Sequence, residues 1–421
     1  MKLAEIYNSY MYSYPHKTAY RAVSSIEWET EKLCGAPLGL YFHIPFCETK
    51  CGFCNLFSVA GKADDYMSRY LGAIKTEIAQ KKLADPRLRW SDLTIGGGTP
   101  LFLSEKNLDA LFEMARGIAE LEKVYVGVET SPNQTTRPKL EILRQNHVDR
   151  VSIGVQSFDD AELKAIGRHQ RARSAQKALE LLREFDFACL NIDLIYGIEG
   201  QTRQSLAKNV EQALSFLPDE LFIYPIYIRE GTGLFGKAAP NPATHEYYFF
   251  VSDMLKSRGY HQLSMRRFAR KKPESGGSCG FSNMVSLGCG GRSYIGNLHF
   301  ATPYTSNAAH SRERIDSYIA AECKNGIENG FVLSDDELKR RFIIKNLLHA
   351  QGLNTGDYRE SFGTDLLGEF PQLVGLLTKK LAVEAGGVIR LSDEGLALSD
   401  MIGPMFISPE VAKLMKDWAA G

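Results

Sequence analysis

The chain has 421 residues, with 50 basic and 50 acidic side chains and a formal net charge of +0. Such a length suits one large domain with a smaller one beside it. Neutrality gives no electrostatic case for nucleic acid or an anionic membrane. No apolar signal core opens the N-terminus and no run is long enough to span a bilayer, so cytoplasm is the expected location.

In chain order, Leu38-Gly-Leu-Tyr-Phe-His-Ile-Pro45 reads as a buried strand feeding a cysteine loop. Asp64 to Lys82 is helical, with Tyr66, Tyr70, Leu71, Ile74 and Ile78 near helical spacing. Leu93 to Ile95 is a short strand that ends in Gly96-Gly97-Gly98-Thr99-Pro100. Ser104 is the expected N-cap of a helix through Ile118. A strand over Val124–Val128, a helix near Lys139–Gln145 and a strand from Arg150 to Val155 follow. Leu163 to Phe185 is helical with a break near Gly167–Arg173. Ala188–Tyr196 is a strand, Gln204–Phe216 a helix and Glu220–Ile228 a strand. Beyond residue 235 this rhythm fades, and Ser275-Gly-Gly-Ser-Cys-Gly280 and Leu287-Gly-Cys-Gly-Gly-Arg292 read as loops. Ser334 caps an amphipathic helix, and a hairpin at Val388–Ser392 precedes a helix over Glu394–Met401. This last order resembles a small winged-helix-like module. It has no basic recognition face, which favours a lid or packing role over DNA binding.

Strands alternating with helices at this separation predict βαβ units and a parallel sheet. Six units with right-handed crossovers make an α/β fold, an open partial (β/α)6 barrel. Sites in such folds gather at the carboxyl ends of the strands. The cysteine loop, the glycine run, Glu129, Gln156, Asp193 and Tyr227 all fall there.

Cys47, Cys51 and Cys54 have the spacing C-x3-C-x2-C. Three thiolates on one short loop can hold three corners of a [4Fe–4S] cube and leave the fourth iron without a protein ligand. A small molecule with an amine and a carboxylate can chelate that iron. S-adenosylmethionine (SAM) has both groups, and an electron from the cluster can split its sulfonium to methionine and a 5′-deoxyadenosyl radical. A zinc site would need a fourth ligand, which no nearby residue supplies. A disulfide suits a short secreted chain. The other cysteines, Cys34, Cys189, Cys279, Cys289 and Cys323, are scattered and read as reduced packing residues. Cys279 and Cys289 stand out for their glycine-rich surroundings.

Tyr-x-His-Ile-Pro-Phe-Cys-x3-Cys-x-Phe-Cys, Gly-Gly-Gly-Thr-Pro, Ser-Ile-Gly-Val-Gln-Ser-Phe and Asn-Ile-Asp-Leu-Ile-Tyr-Gly-Ile-x-Gly-Gln-Thr, in that order, resemble the radical SAM proteins similar to oxygen-independent coproporphyrinogen III dehydrogenase, the HemN-like subgroup. The match covers roughly residues 38–300 and more weakly the tail. Tyr14-Pro-His-Lys-Thr-Ala-Tyr20 looks like a HemN-like subgroup related to the class C radical SAM methyltransferases. The resemblance implies a cluster on Cys47, Cys51 and Cys54 and two SAM molecules. Tyr41 would hydrogen-bond near the first SAM, Phe53 would stack on adenine or shield the cluster, and Gly97, Gly98 and Thr99 would let backbone approach the methionyl amine and carboxylate. Glu129 would meet a ribose hydroxyl or the amine. Gln156, Arg168 and Asp193 would hold the second SAM, Arg168 by its carboxylate. Each of these residues taken alone also has an ordinary reading, as packing, a tight turn or a solvated charge. The subgroup further implies an external electron donor such as flavodoxin or ferredoxin, and a small-molecule or peptide-derived substrate.

Two reactions share these requirements. One is class C-like methyl or methylene transfer to an unsaturated, heteroaromatic carbon, the preferred reading. The other is HemN-like oxidative decarboxylation of coproporphyrinogen III. The decarboxylase resembles Cys-x3-Cys-x2-Cys-x-Cys, and here Leu56 takes the place of the last cysteine. Heme delivery is a non-enzymatic alternative. The His-Asn-x-x-Tyr-Trp motif of heme-chaperone relatives is absent, and His299, the nearest candidate, reads as a satisfied structural histidine. A winged-helix regulator with a redox-sensing cluster is a further binding alternative, which the neutral charge opposes. Gly288, Gly290, Gly291, Arg292 and Tyr294 read as a substrate-side or SAM-side loop. The expected division is an N-terminal segment (1–37), a barrel (38–235), a barrel extension (236–330) and a C-terminal helical module (331–421).

Overall fold

A computed structural model describes residues 7, 11, 13–61, 63–271 and 282–418. The predicted loop at Ser275–Gly280 and Cys279 lie outside the described residues. The main strands are β1 (Arg21–Glu27), β2 (Pro37–Ile44), β3 (Arg89–Gly97), β4 (Tyr125–Thr130), β5 (Arg150–Gln156), β6 (Cys189–Tyr196), β7 (Glu220–Pro225), β8 (Arg267–Ala269), β9 (Asn283–Leu287), β10 (Arg292–Ile295), β11 (Leu298–Ala301) and β12 (Gly326–Val332).

Strands β2 to β7 pair in sequence order, every neighbour parallel. They form the expected α/β curl of six units. The crossovers carry helices α1 (Asp64–Gln80), α2 (Glu105–Arg116), α3 (Arg137–Gln145), α4 (Asp160–Ala165), α5 (Ala172–Phe185) and α6 (Arg203–Ser215). Ser104 caps α2 by accepting from the Asn107 amide. The break expected inside 163–185 separates α4 from α5.

Side chains alternate across each strand. Leu38, Leu40, Phe42 and Ile44 of β2 are fully buried on the helix side, as are Val151, Ile153 and Val155 of β5 and Leu190, Ile192 and Leu194 of β6. The opposite phase carries Tyr41, His43, Glu129, Arg150, Ser152, Asn191 and Asp193. Register keeps these polar residues in rows, with Glu129 opposite Ser152, Ser152 opposite Asn191 and Asn191 opposite Glu220. The inner wall of the curl is therefore polar and the outer wall apolar.

The sheet is larger than six strands. Strand β9 adds in parallel to the free edge of β2, and β10, β11, β12 and β1 continue antiparallel. At the other edge β8 runs antiparallel to β7. The segment Leu287–Arg292 is a loop as expected, a short turn between two strands. These added strands are short and mixed in polarity, so they carry no clear alternation, and neighbouring strands supply their pairing. The strand around Leu93 is longer than expected and takes in Gly96 and Gly97, while the one from Glu220 stops at Pro225.

Helix α7 (Thr244–Ser257), α8 (Ala308–Ala320) and α9 (Asp335–Leu347) follow. The carboxyl-terminal part of the chain holds α9, capped by Ser334, short helices and a three-stranded sheet that includes the predicted hairpin. The expected helix over 394–401 is two pieces, Asp393–Ala397 and Ser399–Ile402. This part is joined to the barrel by a buried triad. Asp400 accepts from the Tyr227 hydroxyl at 2.6 Å and pairs with Arg266. Tyr14 joins the amino-terminal segment to the same region, donating to Glu337 while its hydroxyl accepts from the Ser408 amide. No helix among the described residues is long and apolar enough to cross a membrane. Cys34, Cys189 and Cys289 are free and at least partly buried, whereas Cys323 is exposed rather than a packing residue.

Candidate active site

The cysteine loop leaves β2 at Pro45 and returns at Val59, whose amide donates to the Pro45 carbonyl at 2.8 Å. The short strands Phe46–Cys47 and Val59–Ala60 pair in parallel and close the loop. Its far end is clamped. The Gly52 amide donates to Ile166 O (3.0 Å), and Leu234 N donates to Gly52 O (2.9 Å). A Cβ on Gly52 would stand 3.0 Å from both the Ile166 carbonyl and the Leu234 side chain, so only glycine fits this clamp without displacement.

Two donors reach the cysteine sulfurs from the barrel. Thr99 Oγ1 lies 3.7 Å from Cys47 Sγ, and Arg168 Nη1 lies 3.3 Å from Cys51 Sγ. Burial, and then the neighbouring Cys54, push the Cys47 thiol up to about 12, and burial also raises Cys54. Without a compensating cation the Cys47 sulfur stays protonated at neutral pH. Iron would supply that positive charge and stabilise the thiolates.

The glycine run crosses directly behind the loop. A Cβ on Gly98 would lie 2.6 Å from the Phe46 carbonyl and 2.9 Å from Cys47 Sγ. Gly97 has φ +116°, and a Cβ there would strike the His43 ring at 2.8 Å. The amides of this run are already committed. Gly97 N donates to Glu129 Oε2 (3.1 Å), Gly98 N to Ile44 O (2.8 Å) and Thr99 N to Phe46 O (2.7 Å). The run thus offers close approach rather than free donors, and a ligand carboxylate has to be met by other groups.

Along the inner wall, burial raises Glu129, opposed by its bond from Gly97 and by the charge of Arg150. Burial pushes the Asp193 carboxyl up to about 7, against the bond it accepts from Asn191 Nδ2 at 2.7 Å and the charges of Arg150 and Arg168. Gln156 adopts φ +72° at a register shift between β5 and β6. That left-handed backbone is uncommon outside glycine and is found at functional sites. The shift brings the Gln156 side chain over Gly154, where a Cβ would meet its Nε2 at 2.9 Å and Arg168 Nη2 at 3.6 Å. Gln156, Arg168 and Asp193 are therefore grouped, with Gly154 in register with Asp193. Arg168 is held by Gln170 at 2.8 Å and by the Gly154 carbonyl.

The Radical SAM superfamily model matches residues 41–213. The chain is 27% identical over 399 residues to the oxygen-independent coproporphyrinogen III oxidase of Bradyrhizobium diazoefficiens, covering 89% of this chain and 86% of that protein. It is also 27% identical to the heme chaperone HemW of Bacillus subtilis, covering 87% and 98% respectively. The solved coproporphyrinogen III oxidase (HemN) of Escherichia coli superposes with a TM-score of 0.82 at 23% identity, over 94% of this chain and 96% of that one, which is a likeness of fold. This chain is similar to HemN-like radical SAM enzymes.

That likeness implies a [4Fe–4S] cluster and SAM. Three free thiols, Cys47, Cys51 and Cys54, on one clamped loop fit a cube that takes three protein thiolates. Among the described residues no three Cys, His, Asp or Glu side chains gather around a single-ion position. In a cube each thiolate takes a separate iron, so the sulfurs stand apart.

The remaining predicted residues lie as follows. The Tyr41 hydroxyl lies 3.4 Å from His43 Nδ1. Phe53 packs on a small apolar cluster of Ile166, Ile195, Ile198 and Ile226. Tyr227 donates to Asp400 and accepts from Arg266. His299 is fully buried, but neither ring nitrogen has a partner, so it is not a satisfied histidine. Burial and the charges of Arg341, Arg292 and Lys345 hold it neutral, at about 2.

Sequence reading missed several groups. His43 sits beneath the glycine run, held near 4 by burial, with Nε2 3.0 Å from the Phe57 carbonyl. Its Nε2–H donates there, which leaves Nδ1 to accept from Tyr41. The two-residue spacing of Tyr41 and His43 was the available signal. Arg150, at the start of β5, pairs with Glu220 at 3.2 Å on the floor of the wall. Lys17 and Arg229 carry no local pattern that marks them.

Proposed function

We propose that this enzyme cleaves SAM at a [4Fe–4S] cluster on Cys47, Cys51 and Cys54, and that it uses a second SAM for methyl or methylene transfer to an unsaturated, heteroaromatic carbon. The observation that supports the two-SAM reading is the grouping of Gln156, Arg168 and Asp193 around Gly154, on strands β5 and β6 beyond the Glu129 strand. When bound, the cluster and SAM supply a 5′-deoxyadenosyl radical.

The chain's own residues bind, orient and shield. Gly97 and Gly98 let the run pack directly against His43 and the cysteine loop, and Glu129 offers a carboxylate beside it for a hydroxyl or an amine. Thr99 and Arg168 stabilise negative charge on the sulfurs of Cys47 and Cys51. Gln156, Arg168 and Asp193 present an amide, a cation and an acid to the second SAM. Tyr41, oriented by His43, presents its ring at the first position. Phe53, with its isoleucine neighbours, makes a dry wall that keeps water from the reacting carbon. The electron comes from an external donor of the flavodoxin or ferredoxin class.

Oxidative decarboxylation of a coproporphyrinogen is the second reading. Similarity to coproporphyrinogen oxidases along most of the chain favours it, and Leu56 in place of the extra cysteine weighs against it. Heme delivery is disfavoured at His299, which is sealed from solvent with the Tyr294 ring centroid 4.7 Å away.

The test is anaerobic. Protein reconstituted with iron and sulfide receives dithionite and methyl-deuterated SAM, and products are read by mass spectrometry. Deuterium in 5′-deoxyadenosine, with S-adenosylhomocysteine on a trial acceptor, is the expected result. Unlabelled 5′-deoxyadenosine formed with coproporphyrinogen III, with loss of carbon dioxide, would establish the second reading instead.

A further inference from the structure

Arg229 lies just beyond β7, at the carboxyl-end face of the barrel. The loop it opens is docked on the cysteine loop through the bond from Leu234 N to Gly52 O at 2.9 Å. The Arg229 guanidinium rests on the Tyr227 ring, 4.8 Å from its centroid. Its Nε and Nη2 are buried and have no hydrogen-bond partner. Buried donors are nearly always paired, so an unpaired pair of them calls for an explanation. These two nitrogens form one edge of the guanidinium fork, the edge that matches the two oxygens of a carboxylate or a phosphate.

A second basic residue interacts electrostatically with Arg229. Lys17, from the amino-terminal segment, has its Nζ 3.7 Å from the Tyr304 ring centroid, and the Tyr304 hydroxyl donates to Asn55 O at 2.7 Å, one residue past Cys54. Arg229 acts on both Lys17 and His16, and burial together with Arg229 and Arg292 holds both well below their ordinary values. The charged groups acting on Lys17 are Arg292, Arg229 and Cys54, and those on His16 are Arg292, Lys17 and Arg229. None is a carboxylate. Positive groups are crowded here with only the Cys54 thiol acting in the opposite sense on Lys17, a crowding that a bound anion would relieve.

We propose that the Nε and Nη2 edge of Arg229, with Lys17 beside it, seats an acidic group of the substrate at the mouth of the barrel next to the cysteine loop. The proposal rests on the reading that the reaction occurs in the barrel, and it deepens that reading by naming an anionic substrate. Arg168, on the β5 side, is assigned to the carboxylate of the second SAM, so Arg229 is left for the acceptor.

Thermal melts of the full-length protein with sodium acetate, benzoate or phosphate, against sodium chloride at matched ionic strength, test this in wild type, Arg229→Gln and Arg229→Lys. Wild type should be stabilised by the oxyanions over chloride. Arg229→Gln should lose that response, and Arg229→Lys should retain only part of it, because an ammonium cannot make the two-pronged contact. In chloride Arg229→Gln should melt no lower than wild type, which shows that it folds. Equal oxyanion responses in wild type and Arg229→Gln, or none in wild type, would overturn the proposal. Equilibrium dialysis with SAM separates the two sources of a carboxylate. Unchanged SAM affinity in Arg229→Gln supports the substrate, and a tenfold loss would reassign the site to SAM. Isotope transfer in wild type reports on the radical reading independently of these melts.

Discussion

Asp193→Asn should stabilise the ligand-free protein at neutral and higher pH while weakening SAM binding. Burial holds the Asp193 carboxyl at about 7 rather than 3.8. At ~1.4 kcal/mol per tenfold, charging it inside the fold costs up to about 4 kcal/mol. Between these two values the folded state binds more protons than the unfolded one, so wild-type stability falls as pH rises through that window. Asparagine is close in shape, carries no charge and can still accept from Asn191. Its advantage should be near zero below pH 4, grow between about 4 and 7, and level off above. For a chain of this size about 1–2 °C of melting shift accompanies each kcal/mol, so the gain above neutrality should be a few degrees. Differential scanning calorimetry from pH 4 to 8.5 measures it, and equilibrium dialysis with labelled SAM measures the second effect. A variant that melts lower than wild type at pH 8, or a difference that does not change with pH, would refute the account of Asp193 as a buried acid. Equal loss at both SAM positions would count against the separate second site.

Replacing Cys47, Cys51 or Cys54 with Ala should abolish SAM cleavage and most iron uptake, and cleavage retained in any of the three would sink the ligand assignment. Gly98→Ala puts a methyl 2.6 Å from the Phe46 carbonyl and 2.9 Å from Cys47 Sγ. It should cost about 1–3 kcal/mol and reduce cluster loading on reconstitution, read as iron and sulfide per chain. Asp400→Asn removes the charge that pairs with the buried Arg266, which should destabilise the protein by about 3–5 kcal/mol, with earlier proteolysis of the carboxyl-terminal part as the readout.

Local chemistry made much of this enzyme legible in its sequence. Six apolar strands alternating with amphipathic helices determine a parallel curl, because each element must bury one face against the next. The C-x3-C-x2-C spacing and the glycine run are local as well, and they fall at the ends of strands whose existence and order the sequence predicts. Long-range pairing decided the rest. Strands β9 to β12 and β1 are too short and too mixed in polarity to announce themselves, and they exist because an edge was there to receive them. The raised carboxyl of Asp193 comes from burial among residues on neighbouring strands, and the tie between Asp400 and Arg266 spans 134 positions. The unpaired edge of Arg229 depends on where a loop after β7 meets the cysteine loop. A single arginine in a sequence has no sign of such a setting, because burial and missing partners are properties of the assembled fold and not of any neighbouring residue.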